Sequence, residues 1–350
     1  MEEYRNELER GIDVSADSVT FSAWANTYCS GREIKSAASP ATLRHDRDQV
    51  RILNQYLDNV KVKDITSAAV GQVMVAMGED GRSPGAIKRA LMMLKRLLRE
   101  ACSHNIILRN PAENIRAPKV VKPEVKALSE DRAALLIKAL KECPAYLQFA
   151  TEQNQLSYLS SAVATRMLLA TGARRGEGLG LTWGHINFED SSIRIEQQLT
   201  TDGIRQPKTK AGRRRVTIDA DTLKLLRAWK IQQAKWLLKN GIAQSETTPV
   251  ISTTGHFYHV DDYSHWWRKF RKEYGFDDVT IHMLRHTHAT LLIGAGVDIK
   301  TVQHRLGHES ASITMNLYAH FIKSKDAECV LVMDALIAKQ VPEMGKVVNL

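Results

Sequence analysis

The sequence predicts a mainly α-helical protein with a small antiparallel sheet, an α+β class, arranged in two domains. The first observation is the length of 350 residues, which is enough for roughly two domains that each bury a core. The second is that apolar residues recur at helical spacing over most of the chain, whereas a stretch after residue 185 alternates apolar and polar residues as strands do. The third is a segment at 109–126 with three prolines and several lysines, which is typical of a linker.

The composition is that of a globular protein, with 43% hydrophobic and 25% charged residues. No apolar run approaches the roughly 18 to 20 residues that cross a bilayer, and the first residues, MEEYRNELERG, are charged, so we expect a cytoplasmic protein without a membrane span. The four cysteines form no CxxC pair, which disfavours a zinc ribbon or a disulfide framework. A formal net charge of +10 and a pI near 9.4 favour a polyanionic partner.

Residues 20–112 are predicted to form a helical domain, after a tail or short helix at 1–19. Pro40 suits the first turn of one helix of this domain, which Ser39 or Thr42 can cap.

The clearest helix of the first domain is AIKRALMMLKRLLREACSHN. Its core-facing positions recur every three or four residues: Ile87, Leu91, Leu94, Leu98 and Ala101. Lys88, Lys95 and Arg99 form a cationic stripe beside them. This stripe is either a solvated basic face or a surface that lies on phosphates.

Residues 127–335 are predicted to form the second domain, between a linker at 113–126 and a C-terminal tail at 336–350. The domain opens on a helix whose first turn lies between Ser129 and Arg132.

Two neighbouring stretches, HINFEDSSIRIEQQL and IRQPKTKAGRRRVTI, predict a small set of strands joined by a basic turn. The apolar side chains that alternate with polar ones are Ile186, Phe188, Ile193, Ile195, Val216 and Ile218. The turn itself carries Lys208 and Lys210. After Asp219 the pattern returns to helix.

Three separated pieces of the second domain carry residues that suit phosphate binding and proton transfer. The first is LLATGARRGEGLGLTW, an apolar helix that ends at Gly172 and a tight turn that presents Arg174. The second is the basic turn with Lys208 and Lys210. The third is IHMLRHTHATLLIGAGVDIKTVQHRLGHESASITMNLYAH, which holds His282, Arg285, His308 and Tyr318.

These motifs resemble those of the tyrosine recombinases, the phage integrase family, over about residues 20–335. TGARRGE is similar to the first arginine box of the family, and HMLRH, LGHES and NLYAH are similar to its second box. The resemblance gives the roles of first arginine, hairpin lysine, histidine, second arginine, second histidine and nucleophile to Arg174, Lys208, His282, Arg285, His308 and Tyr318. It implies a helical, SAM-like core-binding domain followed by a catalytic domain.

The chemistry of the phosphodiester explains these residue types. Its transition state concentrates negative charge on the non-bridging oxygens, and two arginines can donate paired hydrogen bonds to them. Tyr318 supplies a phenol nucleophile that nearby cations or a base must activate, and His282 can help to accept its proton or can fix the geometry. Lys208 is the general acid for the departing 5′ oxygen, with Lys210 as the alternative, and His308 is predicted to bond the phosphate. We expect neither a metal nor a cofactor, because a phosphotyrosyl bond retains the energy for religation.

Taken singly, each residue has a simpler explanation. An arginine after a glycine is often a solvated helix cap, and a tyrosine on an amphipathic helix is usually packing. His282 and His286 stand at positions i and i+4 as in a zinc site, but Met283 replaces the glutamate that a zinc protease needs. His286, His288 and His320 are expected to be packing or surface histidines, although the family more often has a large apolar residue in place of His288.

The expected function is site-specific DNA recombination, by which a mobile element is integrated or excised. The implied partners are double-stranded attachment sites and three further copies of the chain in a tetramer on DNA, with an accessory excision factor or a host DNA-bending factor as a further candidate. Such a protein would work at the bacterial nucleoid. Two alternatives are a type IB topoisomerase and a DNA-binding regulator without catalysis. The helical domain before the linker favours a recombinase over the former, and Arg174, Arg285 and Tyr318 argue against the latter.

Overall fold

The computed structural model describes residues 18–35, 38–120, 126–142, 150–207 and 210–308. By contacts, the chain divides into two compact units, residues 1–123 and 124–350. The division falls within the segment that the sequence predicts as a linker. None of the described helices combines the length and the apolarity that crossing a bilayer needs.

The first unit is helical in its described residues. Its helices are α1 (Phe21–Lys35), α2 (Pro40–Leu57), α3 (Ser67–Glu79) and α4 (Pro84–Ser103). Ser39 is the cap of α2, since its side chain accepts from the backbone N–H of Thr42. The five apolar positions predicted for α4 are all buried, and they face the core that α1, α2 and α3 complete. Ile115 and Ala117 also pack on this core, so its contacts extend beyond residue 112.

The second unit is mainly helical as well. Its helices are α5 (Glu130–Ala139), α6 (Glu152–Thr171), α7 (Arg175–Leu179), α8 (Ala220–Lys239), α9 (Val260–Glu273), α10 (Ile281–Gly294) and α11 (Ile299–Leu306). Ser129 caps α5 by accepting from the N–H of Arg132. Helix α6 lies within the core of this unit and is buried on nearly all of its sides.

The described strands of this unit form two separate sheets. The strands are β1 (Ile186–Asn187), β2 (Ser192–Ile195), β3 (Gln198–Thr200), β4 (Gly203–Arg205) and β5 (Arg214–Thr217). β1, β2 and β5 form one antiparallel sheet, in which Ile193 pairs with Val216, and β3 and β4 form a two-stranded hairpin. The predicted basic turn therefore connects β4 with β5, which belong to different sheets, and it does not close a hairpin.

The stretch between α8 and α9, residues 240–259, is mostly irregular, where the sequence predicts helix. Buried side chains of α8 hold it by hydrogen bonds to its carbonyl groups: Trp229 Nε1 donates to the carbonyl of Val250 at 2.7 Å, and Gln233 Nε2 donates to that of Ser252 at 2.8 Å. The Val250 N–H donates in turn to the Leu181 carbonyl at 2.9 Å. Buried backbone groups are thus satisfied without a helix.

Candidate active site

Arg174 lies in a tight turn between two helices. α6 ends at Gly172, whose φ of 65° is left-handed, and Arg174 stands immediately before the first turn of α7. The Glu177 carboxylate accepts two hydrogen bonds from Arg174: the backbone N–H of Arg174 donates to Oε2 at 2.9 Å, and its Nη1 donates to Oε1 at 2.8 Å. Both the backbone and the side chain of Arg174 are therefore positioned by Glu177.

Glu177 is buried and has a second cationic partner. Arg214 Nη2 donates to Glu177 Oε2 at 2.8 Å, and both side chains are almost fully buried. Burial raises the pKa of Glu177, but the hydrogen bond and charge of Arg214, together with Arg174, outweigh it and hold the pKa below its ordinary value. The carboxylate stays ionised and links the start of α7 to the start of β5.

Arg285 lies on α10 and is only 2% exposed. Its Nη1 donates to the Gly172 carbonyl and its Nη2 to the Leu306 carbonyl, both at 2.7 Å. These carbonyls end α6 and α11, where helical backbone oxygens lack partners of their own. Burial, and next the charge of Arg174, lower the pKa of Arg285 to about 9, so the guanidinium is still charged at neutral pH.

Two histidines share the surroundings of Arg285. His282 lies one turn before it on α10, and His308 follows α11, where its N–H donates to the Gln303 carbonyl at 3.2 Å. Burial first, and then the charges of Arg285 and Arg174, lower the pKa of both histidines, that of His308 to about 3. Both imidazoles are neutral at pH 7, so each has one ring N–H that can donate a hydrogen bond and one ring nitrogen that can accept one.

Gly307 brings the basic turn against the end of α11. Its φ of 66° is left-handed, and a Cβ at this position would lie 2.5 Å from the Ala211 carbonyl oxygen and 3.0 Å from Arg214 Nη1. Only glycine allows both the conformation and this approach. Ala211, in the segment between β4 and β5, therefore lies against the end of α11, where His308 follows Gly307.

The structure brings together four of the predicted catalytic residues. Arg174, His282, Arg285 and His308 come from the α6–α7 turn, α10 and the end of α11, and the charges of both arginines act on both histidines. The other predicted site residues are not among the described ones: Tyr318, Lys208 and the side chain of Lys210 lie outside the described residues.

Glu177 and Arg214 have roles that the sequence analysis did not assign. A signal for Arg214 is the alternation of β5, in which Arg214 and Val216 are buried whereas Arg215 and Thr217 are exposed. Strand parity therefore places the middle arginine of the RRR run on the same face as a core valine. Glu177 belongs to the TGARRGE motif, but its burial could not be derived from that motif.

The predicted cationic stripe of α4 is partly engaged within the first unit. Lys95 Nζ donates to the Glu113 carbonyl at 2.7 Å, and Arg99 Nη2 donates to the Glu113 carboxylate at 3.0 and 3.1 Å. Lys88 is exposed. Of the three, Lys95 and Arg99 would have to exchange or share these contacts in order to bind a phosphate.

His282 and His286, the pair considered for zinc, pack edge to face with ring centroids 4.5 Å apart. Burial, then His282 and Arg285, lower the pKa of His286 to about 4. Within the described part of the chain, no three His, Cys, Asp or Glu residues are grouped so that they could hold a metal ion.

Acidification is expected to destabilise the fold between pH 6.5 and about 4. Unfolded histidines take up protons near pH 6.5, whereas His286 and His288 keep pKa values of about 4 and His308 one of about 3 in the fold. The unfolded state binds more protons in this window, so the free energy of unfolding falls as the pH falls. Calorimetric unfolding at pH 5.5, in two buffers of different ionisation enthalpy, measures the proton uptake. His288→Phe should take up about one proton fewer than the parent chain; equal uptake would contradict the burial argument.

Comparison with known proteins relates this geometry to one family. The model of the "Phage integrase family" matches residues 128–325. The chain is 26% identical to the ICEBs1 integrase of Bacillus subtilis (strain 168), over 95% of this chain and 88% of that protein. It is 27% identical to a XerC-like tyrosine recombinase of Caldanaerobacter subterraneus subsp. tengcongensis, over 96% and 88%.

The fold is shared with solved structures of DNA-bound integrases. The Tn1549 transposon integrase in complex with transposon right end DNA superposes with a TM-score of 0.69 at 21% identity, over 90% of this chain and all of that one. A lambda integrase tetramer bound to a Holliday junction gives a TM-score of 0.65 at 20% identity, over 86% and 77%.

Proposed function

Because the chain belongs to the phage integrase family of tyrosine recombinases, we propose that it cuts and rejoins DNA at specific sites through a bond between a 3′ phosphate and Tyr318. Its substrates are double-stranded attachment sites, and its outcome is the integration or excision of a mobile element. Relatives of this kind include the ICEBs1 integrase and the transposase from transposon Tn916, which is 24% identical over 91% of this chain.

The observation that carries the proposal is the joint orientation of two guanidinium groups by acceptors of the protein itself. Glu177 holds Arg174, and two helix-end carbonyls hold Arg285. A guanidinium has five N–H donors, and the described bonds of Arg285 use one on each terminal nitrogen. Donors of both arginines therefore serve the non-bridging oxygens without a change of side-chain position at the moment of reaction.

The neutral histidines complete the chemistry of the first step. Tyr318 attacks the phosphorus and His282 accepts the phenol proton, while His308 donates a hydrogen bond to a non-bridging oxygen. The bond from phosphorus to the 5′ oxygen breaks, and Lys208 gives that oxygen its proton. Religation runs the same steps in reverse with a different 5′ hydroxyl, so no metal or nucleotide is consumed.

The assembly we propose is a tetramer of this chain on two DNA sites, as in the lambda integrase tetramer bound to a Holliday junction. An excision factor or a host DNA-bending protein is the accessory partner that would set its direction. The bacterial nucleoid is where such an assembly would form. In the first unit, Lys88, Lys95 and Arg99 are the residues proposed to contact the DNA backbone.

The test is covalent capture on nicked DNA. The protein is incubated with a suicide substrate that carries its attachment site, selected from a random DNA library by binding, with a nick next to the cleavage point. A recombinase forms a covalent adduct with this substrate and none with a scrambled duplex. Adducts on both duplexes would indicate a topoisomerase, and site-specific binding without any adduct would indicate a regulator.

Lys208→Ala is expected to slow the cleavage of ordinary DNA, because the departing 5′ oxygen loses its acid. A substrate with a 5′-bridging phosphorothiolate expels a thiolate, which needs no protonation, so this variant should recover on that substrate. Lys210→Ala is the matched control, and it should show no selective recovery. If only Lys210→Ala recovers, the general acid is Lys210. If neither variant recovers, the general acid lies outside the turn. The readout is the ratio of cleavage rates on the two substrates.

A further inference from the structure

His288 is held in one neutral tautomer. It follows His282 by six residues on α10, lies on the buried face of this helix and is 8% exposed. Arg305 Nε lies 2.9 Å from His288 Nε2, and the Leu169 carbonyl oxygen lies 2.9 Å from Nδ1. A guanidinium N–H can only donate and a carbonyl oxygen can only accept, so Nε2 accepts and Nδ1 carries the proton.

Arg305 connects this histidine to two further parts of the unit. Its Nη2 donates to the Thr217 carbonyl at 2.8 Å and to the Ala170 carbonyl at 3.3 Å. One side chain of α11 therefore reaches α10 through His288, the end of β5 through Thr217 and the end of α6 through Ala170. The guanidinium makes these bonds from two separate nitrogens, Nε and Nη2. The three donors of a lysine ammonium all leave one atom, so they would not meet the same acceptors in the same geometry.

The backbone beside Arg305 holds the other two arginines. The Arg305 carbonyl accepts from Arg214 Nε at 2.7 Å, and the next carbonyl, of Leu306, accepts from Arg285 Nη2 at 2.7 Å. His308 follows two residues later. The placement of the end of α11 thus sets the positions of Arg214, Arg285 and His308 at once.

The His288 ring also contacts the other support of Arg285. A Cβ placed on Gly172 would lie 2.7 Å from His288 Cδ2 and 2.6 Å from Leu306 Cδ2, so the glycine, the ring and the leucine are in close packing. The Gly172 carbonyl is the acceptor for Arg285 Nη1. Both acceptors of Arg285 are therefore adjacent to the pair formed by His288 and Arg305.

We propose that His288 and Arg305 are positioning residues for the proposed strand cleavage: the neutral imidazole accepts from Arg305, and this bond holds the end of α11 so that its carbonyls aim Arg285 at the phosphate. The inference rests on the recombinase function proposed above. A large apolar side chain would fill the same volume, but it would leave the Arg305 Nε–H without its acceptor in a half-buried site.

The neutral state of His288 is supported by its surroundings. Burial first, and then the charge of Arg305, lower the pKa of His288 to about 4, and Arg285 and Arg214 act in the same direction. The hydrogen bond to the Leu169 carbonyl raises the pKa of His288, but it does not outweigh these effects. The acceptor that Arg305 needs is therefore available throughout the neutral range.

The experiment compares His288→Phe with His288→Gln. Phenylalanine keeps the volume and loses the acceptor, whereas the glutamine amide can accept from Arg305 and donate to the Leu169 carbonyl. Each protein is given two suicide substrates, one with an ordinary scissile phosphodiester and one with a methylphosphonate there. The methylphosphonate carries no charge before attack and one charged non-bridging oxygen fewer in the transition state, so it depends less on a correctly aimed Arg285.

His288→Phe is expected to cleave the ordinary substrate about 100-fold more slowly, as a misplaced catalytic group does, with a much smaller loss on the methylphosphonate. His288→Gln should restore the ordinary rate to within several-fold. A loss of active protein lowers both rates equally, so an equal loss on the two substrates, or no loss at all, overturns the proposal. Should His288→Phe fail to fold, Arg305→Lys is put through the same comparison with the same expected ratio. Absence of an adduct from the unsubstituted chain would instead overturn the recombinase function.

Discussion

Tyr318→Phe is expected to form no covalent complex with attachment-site DNA while still binding it. The substitution removes the phenol oxygen that bonds to phosphorus and leaves the arginines and histidines of the second unit in place. The rate of adduct formation should fall below detection, because no neighbouring group replaces the nucleophile. Denaturing gels of the nicked substrate measure the adduct, and a mobility shift at the same protein concentration measures binding.

The matched control is Tyr274→Phe, a tyrosine of the same unit that packs against Phe270 with ring centroids 4.8 Å apart. It should form the adduct at close to the unsubstituted rate. An alkali-stable adduct with Tyr318→Phe would move the nucleophile to another residue. Loss of the adduct in both variants would point to a folding defect.

Arg285→Lys is expected to reduce cleavage by roughly 100- to 1000-fold, the effect of losing an oriented donor to a developing oxyanion. Lysine retains the charge, but one ammonium cannot bond the Gly172 and Leu306 carbonyls and still present paired donors to a phosphate. Arg174→Lys should have a similar effect, because Glu177 would then hold a single point charge. Single-turnover cleavage of the suicide substrate measures the loss.

Arg268→Lys is the control for this pair, since Arg268 is an exposed residue of α9. Its cleavage rate should match that of the unsubstituted chain. If Arg285→Lys and Arg174→Lys also cleave at that rate, the two arginines do not bind the scissile phosphate. DNA binding by all three variants, compared at one salt concentration, separates a loss of chemistry from a loss of affinity.

The sequence was sufficient to predict the parts of the site that follow local rules. Gly172 has a left-handed backbone and ends α6, as its position after an apolar helix predicts. Asp298 caps α11 by accepting from the backbone N–H of Thr301, as an aspartate directly before a helix can. Such features depend on a few residues that are neighbours in the sequence.

The parts that could not be predicted depend on long-range pairing. The alternation of apolar and polar residues indicated strands on both sides of the basic turn. This alternation does not depend on which strand a given strand pairs with, so it could not show that β5 pairs with β2 and not with β4. The burial of Arg214 follows from that pairing, because it brings the arginine to Glu177, which lies 37 residues away in the sequence. His288 was expected to be a packing or surface histidine, and its hydrogen bonds depend on residues from α6 and α11.

Peptide oxygens hold the two most deeply buried arginines of the second unit's site, and this has an evolutionary consequence. The carbonyls of Gly172, Arg305 and Leu306 accept from Arg285 and Arg214. A peptide oxygen is the same for every amino acid, so Leu306 can be exchanged for another apolar residue over generations without altering the acceptor. The path of the backbone, in contrast, must be kept. At Gly172 and Gly307 a side chain would displace the neighbouring atoms. Divergent members of the lineage can therefore keep the same guanidinium geometry while most of the surrounding residues change.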